Sequence, residues 1–263
     1  MDESPSPSPA KPGRLFIVGT GPGSTMQLTA AAESAIQASE YVVGNDIYLK
    51  MLAHLLDGKK ILRSKMGSEI DRARQSLDLA RSSVVSLVSG GDPGIYGMAS
   101  IVLEVAEKLE SDVRIEVVPG VTSASSSGSL LGSPLSGDFV AISLSDLLTP
   151  WDVIKNRLAL AFSMGVPVVI YNPRSHGRPH HFGEAMEIAL QLRDPNTPVG
   201  VVRNAYREGE SAVVTTLEKI RRDHEAVDMH STVIVGGSES RVWRSANGER
   251  IITPRGYHHK YEF

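Results

Sequence analysis

The residues that most clearly suggest chemistry lie between Gly90 and Gly97, where four glycines and an Asp-Pro pair occur within eight positions. Glycine lets a backbone approach a ligand closely and adopt positive φ angles without a steric penalty. Asp92 has two interpretations: its carboxylate contacts a ligand, or it accepts backbone hydrogen bonds that brace its own loop, as Asx turns do. We favour bracing, because Pro93 stiffens the same turn. The whole segment is more typical of a ligand-binding loop than of a plain turn before a helix.

Two further glycine turns have the same character. Gly19-Thr20-Gly21-Pro22-Gly23 resembles a dinucleotide-binding fingerprint without completing it, because Ser24 replaces the third glycine and Pro22 lacks the N–H that a phosphate cradle needs. Asp46 follows the next predicted strand and either holds a ribose hydroxyl or caps a helix. The third turn occupies residues 119–124. The sequence contains no Gly-Lys-Ser/Thr signature, which excludes a P-loop.

Each glycine turn connects a predicted strand to a predicted helix, and these elements alternate through the first half of the chain. Short apolar runs predict strands, and apolar residues at helical spacing predict helices. Strands are expected at residues 14–18, 41–44, 59–63, 84–89 and 113–118, with helices at 30–38, 47–56, 69–81 and 98–109 and a fifth ending at Leu131. Five strand–helix units imply a parallel sheet with right-handed crossovers. The three glycine turns should therefore open at the same edge of that sheet.

The second half follows a different pattern. Strands are expected at residues 139–144, 166–171, 198–203, 212–216 and 232–235, helices at 151–162 and 182–192, and an Asn-Gly hairpin between 242–243 and 250–252. Adjacent strands joined by turns suggest a mixed sheet. Residues 132–137 combine turn formers without periodicity and mark the predicted boundary. We therefore predict an α/β protein with two α/β domains, at residues 14–135 and 136–257, with a cleft between them, a disordered tail at 1–13 and a second tail at 258–263.

Composition excludes several function classes. The chain has 263 residues, of which 41% are hydrophobic and 22% charged, as in ordinary globular proteins. It contains no cysteine, so disulfides, thiolate catalysis, iron–sulfur clusters and cysteine zinc sites are excluded. The formal net charge of −3 argues against a nucleic-acid partner. No window predicts a membrane span, and residues 1–13 lack the apolar core of a signal peptide, so we expect a cytoplasmic location.

The motifs together resemble the tetrapyrrole methylases, which use S-adenosylmethionine on corrin and sirohaem precursors. The resemblance is carried by the turn at residues 19–23, Gly91-Asp92-Pro93, the turn at 119–124 and Tyr171-Asn172-Pro173-Arg174. Three further segments are similar to the precorrin-3B C17-methyltransferase branch of that family: residues 95–99, 143–151 and 253–257. The similarity covers residues 15–257, and the segment that ends at Trp151 is its most specific part.

This resemblance implies two α/β domains with S-adenosylmethionine bound in the cleft between them, and usually a homodimer. It implies methylation of precorrin-3B or cobalt-precorrin-3 at C17 with contraction of the ring, and it fits both substrates. The positions that match the donor contacts of the family are Pro22, Gly91, Asp92, Pro93, Ile95, Ser123, Ala124, Tyr171, Asn172, Ala205 and Thr232.

The carboxylates of a tetrapyrrole need cationic partners, and arginine binds a carboxylate through paired hydrogen bonds. Arg174 and Arg178 follow a predicted strand end and Arg207 lies in another loop, although each has the alternative of being a solvated surface charge. Ser145 and Asp146 occupy the branch-specific segment. Asp146 is either a cap at the start of a helix or, as we favour, a substrate contact that handles a proton. Without cysteine or a His-Glu-Xaa-Xaa-His motif, we expect no metal site.

Two alternatives remain open at this point. The glycine loops alone indicate only the wider family, so one alternative is another member of it that methylates a different corrin carbon, or an RNA or protein target. The incomplete fingerprint at residues 19–23, together with Asp46, keeps open a nucleotide-binding module without catalysis.

Overall fold

The computed structural model describes residues 13–65, 67–246 and 248–262. The predicted tail at residues 1–13 lies outside this part of the chain except for Gly13, as do Met66, Asn247 of the predicted hairpin turn, and Phe263. The chain forms two compact units, Met1–Thr122 and Ser123–Phe263. None of the helices in the described ranges has both the length and the apolar composition that crossing a membrane requires.

The first unit contains a five-stranded sheet in the order β3-β2-β4-β1-β5. All four neighbouring pairs run parallel, which confirms the predicted sheet. The strands are β1 (Arg14–Gly19), β2 (Tyr41–Asn45), β3 (Lys60–Ser64), β4 (Val84–Ser89) and β5 (Arg114–Val118); the helices are α1 (Ala30–Ala38), α2 (Asp46–Met51), α3 (Glu69–Leu79) and α4 (Ala99–Lys108).

Alternate residues of β1 show how this sheet is buried on both faces. Leu15 and Ile17 pack into a cluster with residues of α3 and α4, whereas Phe16 and Val18 pack into a second cluster with residues of α1 and α2. This two-residue period is the pleat of a strand. The continuous apolar run in β1 therefore reflects a strand covered by helices on both sides, as parallel sheets require.

The second unit is a mixed α/β structure, as predicted. Its elements are α5 (Ser123–Leu131), β6 (Gly132–Ser133), β7 (Val140–Ser143), α6 (Trp151–Ser163), β8 (Val168–Tyr171), α7 (His181–Leu192), β9 (Pro198–Arg203), β10 (Ser211–Thr216), α8 (Leu217–Arg222), β11 (Ser231–Val235), β12 (Arg241–Ser245) and β13 (Gly248–Ile252). The main sheet has the order β10-β9-β11-β8-β7, in which only β7 and β8 pair in parallel. The predicted hairpin is formed by β12 and β13.

The boundary between the two units lies before Ser123, earlier in the chain than the predicted boundary after Leu135. The physical reason is the packing of α5, whose buried residues Ala124 and Leu131 belong to the apolar cluster on one face of the second sheet. The turn-forming residues that suggested a linker instead form β6, which pairs in parallel with β13. The opposite face of the second sheet packs against α6, α7 and α8.

Candidate functional site

The three glycine turns of the first unit meet at the carboxyl edge of its sheet, as predicted. Gly21 and Gly91 exchange two backbone hydrogen bonds, of 3.1 Å and 3.0 Å. A Cβ atom added to Gly19 would lie 2.7 Å from the Gly120 nitrogen and from the Gly91 carbonyl oxygen. A Cβ atom on Gly120 would overlap that same carbonyl oxygen. Only residues without a side chain allow this approach, and the three turns together are called the glycine cradle below.

Asp92 ties two of these turns together. Its Oδ1 accepts a hydrogen bond from the Gly94 N–H at 2.8 Å, within its own loop. Its Oδ2 accepts a hydrogen bond from the Gly120 N–H at 3.0 Å, across to the turn after β5. The favoured interpretation of Asp92 as a bracing residue is therefore confirmed. Because both bonds involve a carboxylate, each is stronger than a bond between neutral groups.

The segment between this loop and α4 presents two large apolar side chains to solvent. Ile95 is 41% exposed and Tyr96 is 55% exposed. Tyr96 has a φ of 53°, in the left-handed region that residues with a Cβ rarely adopt. The turn is held by the Ala99 N–H, which donates to the Pro93 carbonyl at 2.9 Å. Exposed apolar side chains on a braced, strained turn are suited to contacting a ligand.

Asp46 is not the helix cap that was one of its two expected roles. The cap of α2 is Asn45, whose side chain accepts a hydrogen bond from the Ile47 N–H at 2.9 Å. Asp46 is the first residue of the helix, and its carboxylate forms an ion pair with Arg63 at 2.5 Å.

The second unit collects its predicted site residues at one edge of its main sheet. The end of β7, Ser143, lies beside the end of β8, Tyr171. The start of β11, Ser231, lies beside the end of β9, Arg203, and β11 is also the neighbour of β8. Six predicted site residues follow the ends of β7, β8 and β9, and a seventh lies at the start of β11: Ser145, Asp146, Asn172, Arg174, Ala205, Arg207 and Thr232.

Tyr171 and Ala124 are bonded directly. The Ala124 N–H, in the first turn of α5, donates to the Tyr171 hydroxyl at 3.0 Å. Both residues are buried, and Ala205 packs partly against the same apolar cluster. These three predicted donor-binding residues are therefore neighbours, and Ser123 adjoins them at the start of α5.

The residue after Tyr171 continues this organised edge. Asn172 has a φ of 49° and donates from Nδ2 to the Ser143 hydroxyl at 2.9 Å. The same hydroxyl accepts a hydrogen bond from the Ser145 N–H at 3.2 Å. Ser143 thus connects the end of β8 with the branch-specific loop that contains Ser145.

Arg178 has a role that the sequence did not predict. Its Nη1 donates to the Leu144 carbonyl at 2.8 Å and to the Asn172 carbonyl at 3.0 Å, so it ties the ends of β7 and β8 together. The side chain is only 11% exposed. Burial lowers the pKa of the Arg178 guanidinium, and the Asp146 carboxylate opposes that shift. Arg174 is less engaged, with one long hydrogen bond of 3.4 Å to the His224 carbonyl.

Asp146 is not a helix cap, because α6 begins at Trp151 with Pro150 in the capping position. Its Oδ1 lies 3.8 Å from Arg178 Nε and its Oδ2 lies 3.6 Å from His181 Nε2. The Asp146 side chain is 39% exposed, whereas both partners are mostly buried. The carboxylate is therefore held from two sides and open to solvent on the remaining side.

A second aspartate braces the other end of this edge. Asp228 accepts hydrogen bonds from Arg203 Nε at 2.9 Å, from the His230 N–H at 2.8 Å and from the Ser231 hydroxyl at 3.0 Å. Burial works to raise the pKa of Asp228, but these hydrogen bonds outweigh it and hold the pKa below its ordinary value. The brace fixes the start of β11, which contains the predicted donor-binding residue Thr232.

Comparison with known proteins identifies the family of this fold. A family model described as Tetrapyrrole (Corrin/Porphyrin) Methylases matches residues 14–221, which is most of the chain. The chain belongs to the tetrapyrrole methylases. The sequence prediction of the family is therefore confirmed, and the matched region of this tetrapyrrole methylase runs from β1 through α8.

Individual relatives agree with this assignment. Cobalamin biosynthesis protein CbiHC of Archaeoglobus fulgidus is 45% identical over 95% of this chain, which spans only 54% of that relative's length. The probable cobalt-factor III C(17)-methyltransferase of Salmonella typhimurium is 42% identical, and the match covers 92% of this chain and 99% of the length of that relative. The precorrin-3B C(17)-methyltransferase of Sinorhizobium sp is 39% identical over 93% of this chain and 97% of its own.

Two solved structures are similar in fold. The crystal structure of the methyltransferase CobJ has a TM-score of 0.84, with 30% identity over 92% of this chain and 100% of its own. The uroporphyrin-III C-methyl transferase of Thermus thermophilus, complexed with S-adenyl homocysteine, has a TM-score of 0.67, with 28% identity over 85% of this chain and 92% of its own.

The tetrapyrrole methylase fold also shows which residues the sequence analysis missed. His181 contacts the site residue Asp146, Trp151 packs on His181, and Asp228 pairs with Arg203 at the end of β9, each between segments that are distant in the chain. The one sequence signal for His181 was its place in a basic segment after β8, and Asp228 had none. Within the described ranges, no group of three or more His, Asp or Glu side chains is arranged to hold a metal ion.

Proposed function

We propose that this tetrapyrrole methylase transfers the methyl group of S-adenosylmethionine to C17 of precorrin-3B or cobalt-precorrin-3, in the step that contracts the macrocycle. The observation that carries the proposal is the match to the Salmonella relative, which bears a C(17)-methyltransferase name and is covered over 99% of its length at 42% identity. The relative named for the metal-free substrate is 39% identical, so the proposal includes both substrate forms.

The glycine cradle of the first unit fits the methyl donor. S-adenosylmethionine supplies an electrophilic methyl group on a positively charged sulfur. A cation of this kind suits a site lined by carbonyl oxygens and apolar groups, and the loop after β4 presents the exposed apolar side chain of Ile95. Asp92 keeps the backbone groups in place through its bonds to Gly94 and Gly120. We propose donor contacts in this unit at Pro22, Gly91, Asp92, Pro93 and Ile95.

For the second unit, taken by itself, we propose ligand contacts along the edge that ends β7, β8 and β9. The buried hydroxyl of Tyr171 and the left-handed Asn172 form a rigid support there. Proposed donor contacts in this unit are Ser123, Ala124, Tyr171, Asn172, Ala205 and Thr232. Arg174 and Arg207 are proposed to bind substrate carboxylates, because guanidinium groups bind carboxylates through paired hydrogen bonds.

Little covalent chemistry is required of the protein itself. Methyl transfer is an in-line displacement, so the main tasks are to align donor and acceptor and to exclude water. The S–CH3 bond breaks with its electron pair going to sulfur, and the new C–CH3 bond uses an electron pair of the macrocycle. The macrocycle gains one positive charge and must release one proton, for which Asp146 and Ser145 are the proposed contacts.

The test is incubation of the purified protein with each tetrapyrrole and S-adenosylmethionine labelled with ¹³C in its methyl group. Product mass counts the transferred methyl groups, and the NMR spectrum of the product identifies the methylated carbon. A single label at C17 with one of the two substrates supports the proposal. Labelling of another carbon overturns it in favour of a different corrin methylation. Binding of NAD(H) without binding of S-adenosylmethionine overturns the methyltransferase assignment.

We also propose a homodimer, as the family resemblance implies, and a cytoplasmic location, as expected from the sequence. Light scattering after size-exclusion chromatography measures the mass of the assembly against the 28.3 kDa of one chain. Cell fractionation with an antibody against the chain tests the location.

A further inference from the structure

The His181 ring is fixed between Asp146 and two helices of the second unit. Its Nε2 lies 3.6 Å from Asp146 Oδ2. Its ring stacks on that of Trp151 at the start of α6, with centroids 3.9 Å apart and planes tilted by 35°. Trp151 is held in turn, because its Nε1 donates to Glu184 on α7 at 2.8 Å. This packing keeps His181 in one orientation relative to the Asp146 carboxylate.

The two ring nitrogens of His181 have different surroundings. Nδ1 is buried and has no hydrogen-bond partner among the residues that the structure describes. A buried N–H without an acceptor is unfavourable, so the neutral ring should leave Nδ1 without a proton. The proton then resides on Nε2, the nitrogen that faces Asp146. The surroundings of the ring thus select the tautomer that donates toward the carboxylate.

The other charged groups near His181 and Asp146 have partners of their own, so Asp146 is the carboxylate that His181 faces. Arg178, from the loop before α7, approaches the other oxygen of Asp146 at 3.8 Å. Glu184 on α7 is bonded to Trp151. On α6, Asp152 and Lys155 pair with each other at 2.8 Å. Asp146 is the most exposed member of the cluster formed with Arg178 and His181, so it is the one best placed to meet a substrate.

We propose that His181 is a positioning residue that orients the Asp146 carboxylate to accept the proton released by the methylated macrocycle. This inference rests on the proposed function. In the step, a C–H or O–H bond of the macrocycle breaks, its electron pair stays on the macrocycle, and the proton moves to Asp146. His181 Nε2 lies 3.6 Å from Oδ2, longer than a hydrogen bond; in the step, its N–H donates to Oδ2 as the substrate complex shortens that distance, and Oδ1 is left to accept the proton. Asp146 then acts as a general base, and its effect on the rate depends on how well the carboxylate oxygen is placed for the proton that it removes.

The first test compares two substitutions of His181. His181→Gln retains an N–H donor near the position of Nε2, whereas His181→Phe retains the stacking on Trp151 but has no donor. If His181 acts by donating, kcat falls about 10- to 100-fold in His181→Phe, the effect of one charge-assisted hydrogen bond, and by less than about 5-fold in His181→Gln. The KM values for donor and substrate should stay within about 3-fold. Loss of activity in His181→Gln with full activity in His181→Phe would overturn the proposal.

The second test is a double-mutant cycle with Asp146→Asn, which should lower kcat by about 100- to 10,000-fold as loss of a general base does. If His181 works through Asp146, adding His181→Phe to Asp146→Asn causes less than about a 3-fold further loss. Independent, multiplicative effects would contradict the inference. The matched control is His180→Gln, since His180 precedes α7, is exposed, and makes no side-chain cap. It should behave as the unsubstituted protein does.

The third measurement does not depend on activity. Long-range ¹H–¹⁵N NMR spectra of protein with ¹⁵N-labelled histidine report the tautomer of each of the 8 histidines, and the His181→Gln variant assigns the His181 signals. We expect the proton of neutral His181 on Nε2; a proton on Nδ1 would overturn the proposal even if both variants were inactive. If instead the unsubstituted protein fails to methylate either tetrapyrrole while the Nε2 tautomer is observed, the proposed function fails and the positioning geometry stands.

Discussion

Substitution of Asp92 tests whether one carboxylate holds the glycine cradle together. In Asp92→Asn, the side-chain oxygen can keep the bond to the Gly94 N–H, but the amide NH2 then faces the Gly120 N–H, a donor against a donor. The bond that links the turn after β4 to the turn after β5, 3.0 Å long in the structure, is lost. The bond within the loop becomes neutral and therefore weaker.

The magnitude follows from these two changes. A hydrogen bond to a charged group contributes about 1.5–3 kcal/mol, and a partly buried donor left unpaired is unfavourable by a similar amount. We expect the free energy of unfolding to fall by about 2–3 kcal/mol. Because the cradle would lose its bracing, affinity for S-adenosylhomocysteine should fall about tenfold or more, since each tenfold is about 1.4 kcal/mol.

Urea denaturation measures the first quantity and isothermal titration calorimetry the second. The matched control is Asp57→Asn, which makes the same chemical change at an exposed turn. Surface substitutions of that kind stay within about 0.5 kcal/mol. If Asp92→Asn differs from Asp57→Asn by less than that amount and binds the product nucleoside equally well, the bracing account of Asp92 is wrong.

Three further substitutions test other contacts of the described residues. Gly120→Ala would place a methyl group against the Gly91 carbonyl and should destabilise the protein by about 1–3 kcal/mol while weakening donor binding. Tyr171→Phe leaves the buried Ala124 N–H without its hydroxyl acceptor and should lower the free energy of unfolding by about 1–3 kcal/mol. Asp228→Asn should reduce stability at pH 7, and the difference should begin to shrink below about pH 4. It should vanish only below the folded-state pKa of Asp228, which is lower still, because a lowered pKa stabilises the fold above the unfolded-state pKa and this contribution is lost as the pH falls through the folded-state pKa.

Each of these has a matched control within the chain. Gly137→Ala adds a methyl group where nothing lies within 4 Å, Tyr261→Phe removes an exposed hydroxyl, and Asp223→Asn changes an exposed aspartate near α8. Thermal melting should separate each test variant from its control. For Asp228→Asn, a difference in melting temperature from Asp223→Asn that stays constant from pH 7 to below pH 4 would contradict the reasoning on its ionisation.

The first unit could be predicted closely because its signals are local. Apolar runs covered on both faces give strands, and the glycines at positions 19, 91 and 120 mark where the backbones must touch. The parallel order follows from the alternation of strands and helices, which allows few topologies. Even here, the choice of Asn45 rather than Asp46 as the cap of α2 was beyond the sequence, because both side chains are good caps.

The boundary at Ser123 could not be predicted, since α5 is made mostly of small residues. Its Ser and Ala side chains pack as well against one sheet as against another, so its composition does not indicate a partner. What decides its position is the hydrogen bond from Ala124 to Tyr171 and the pairing of β6 with β13, and both join segments that are far apart in the chain.

The same limit explains why the sequence assigned Arg178 to the substrate and passed over His181. An arginine after a strand end satisfies the pattern of a carboxylate-binding residue, but whether its donors are free depends on carbonyls contributed by other strands. In the structure, the Leu144 and Asn172 carbonyls take Nη1, and the guanidinium becomes a support for the site. For His181 the sequence offers too little rather than too much. A histidine at the start of a helix indicates no role by itself, and the role comes from its contacts with Asp146 on one side and Trp151 on the other. Roles of this kind are properties of a pair of segments, so only the folded chain assigns them.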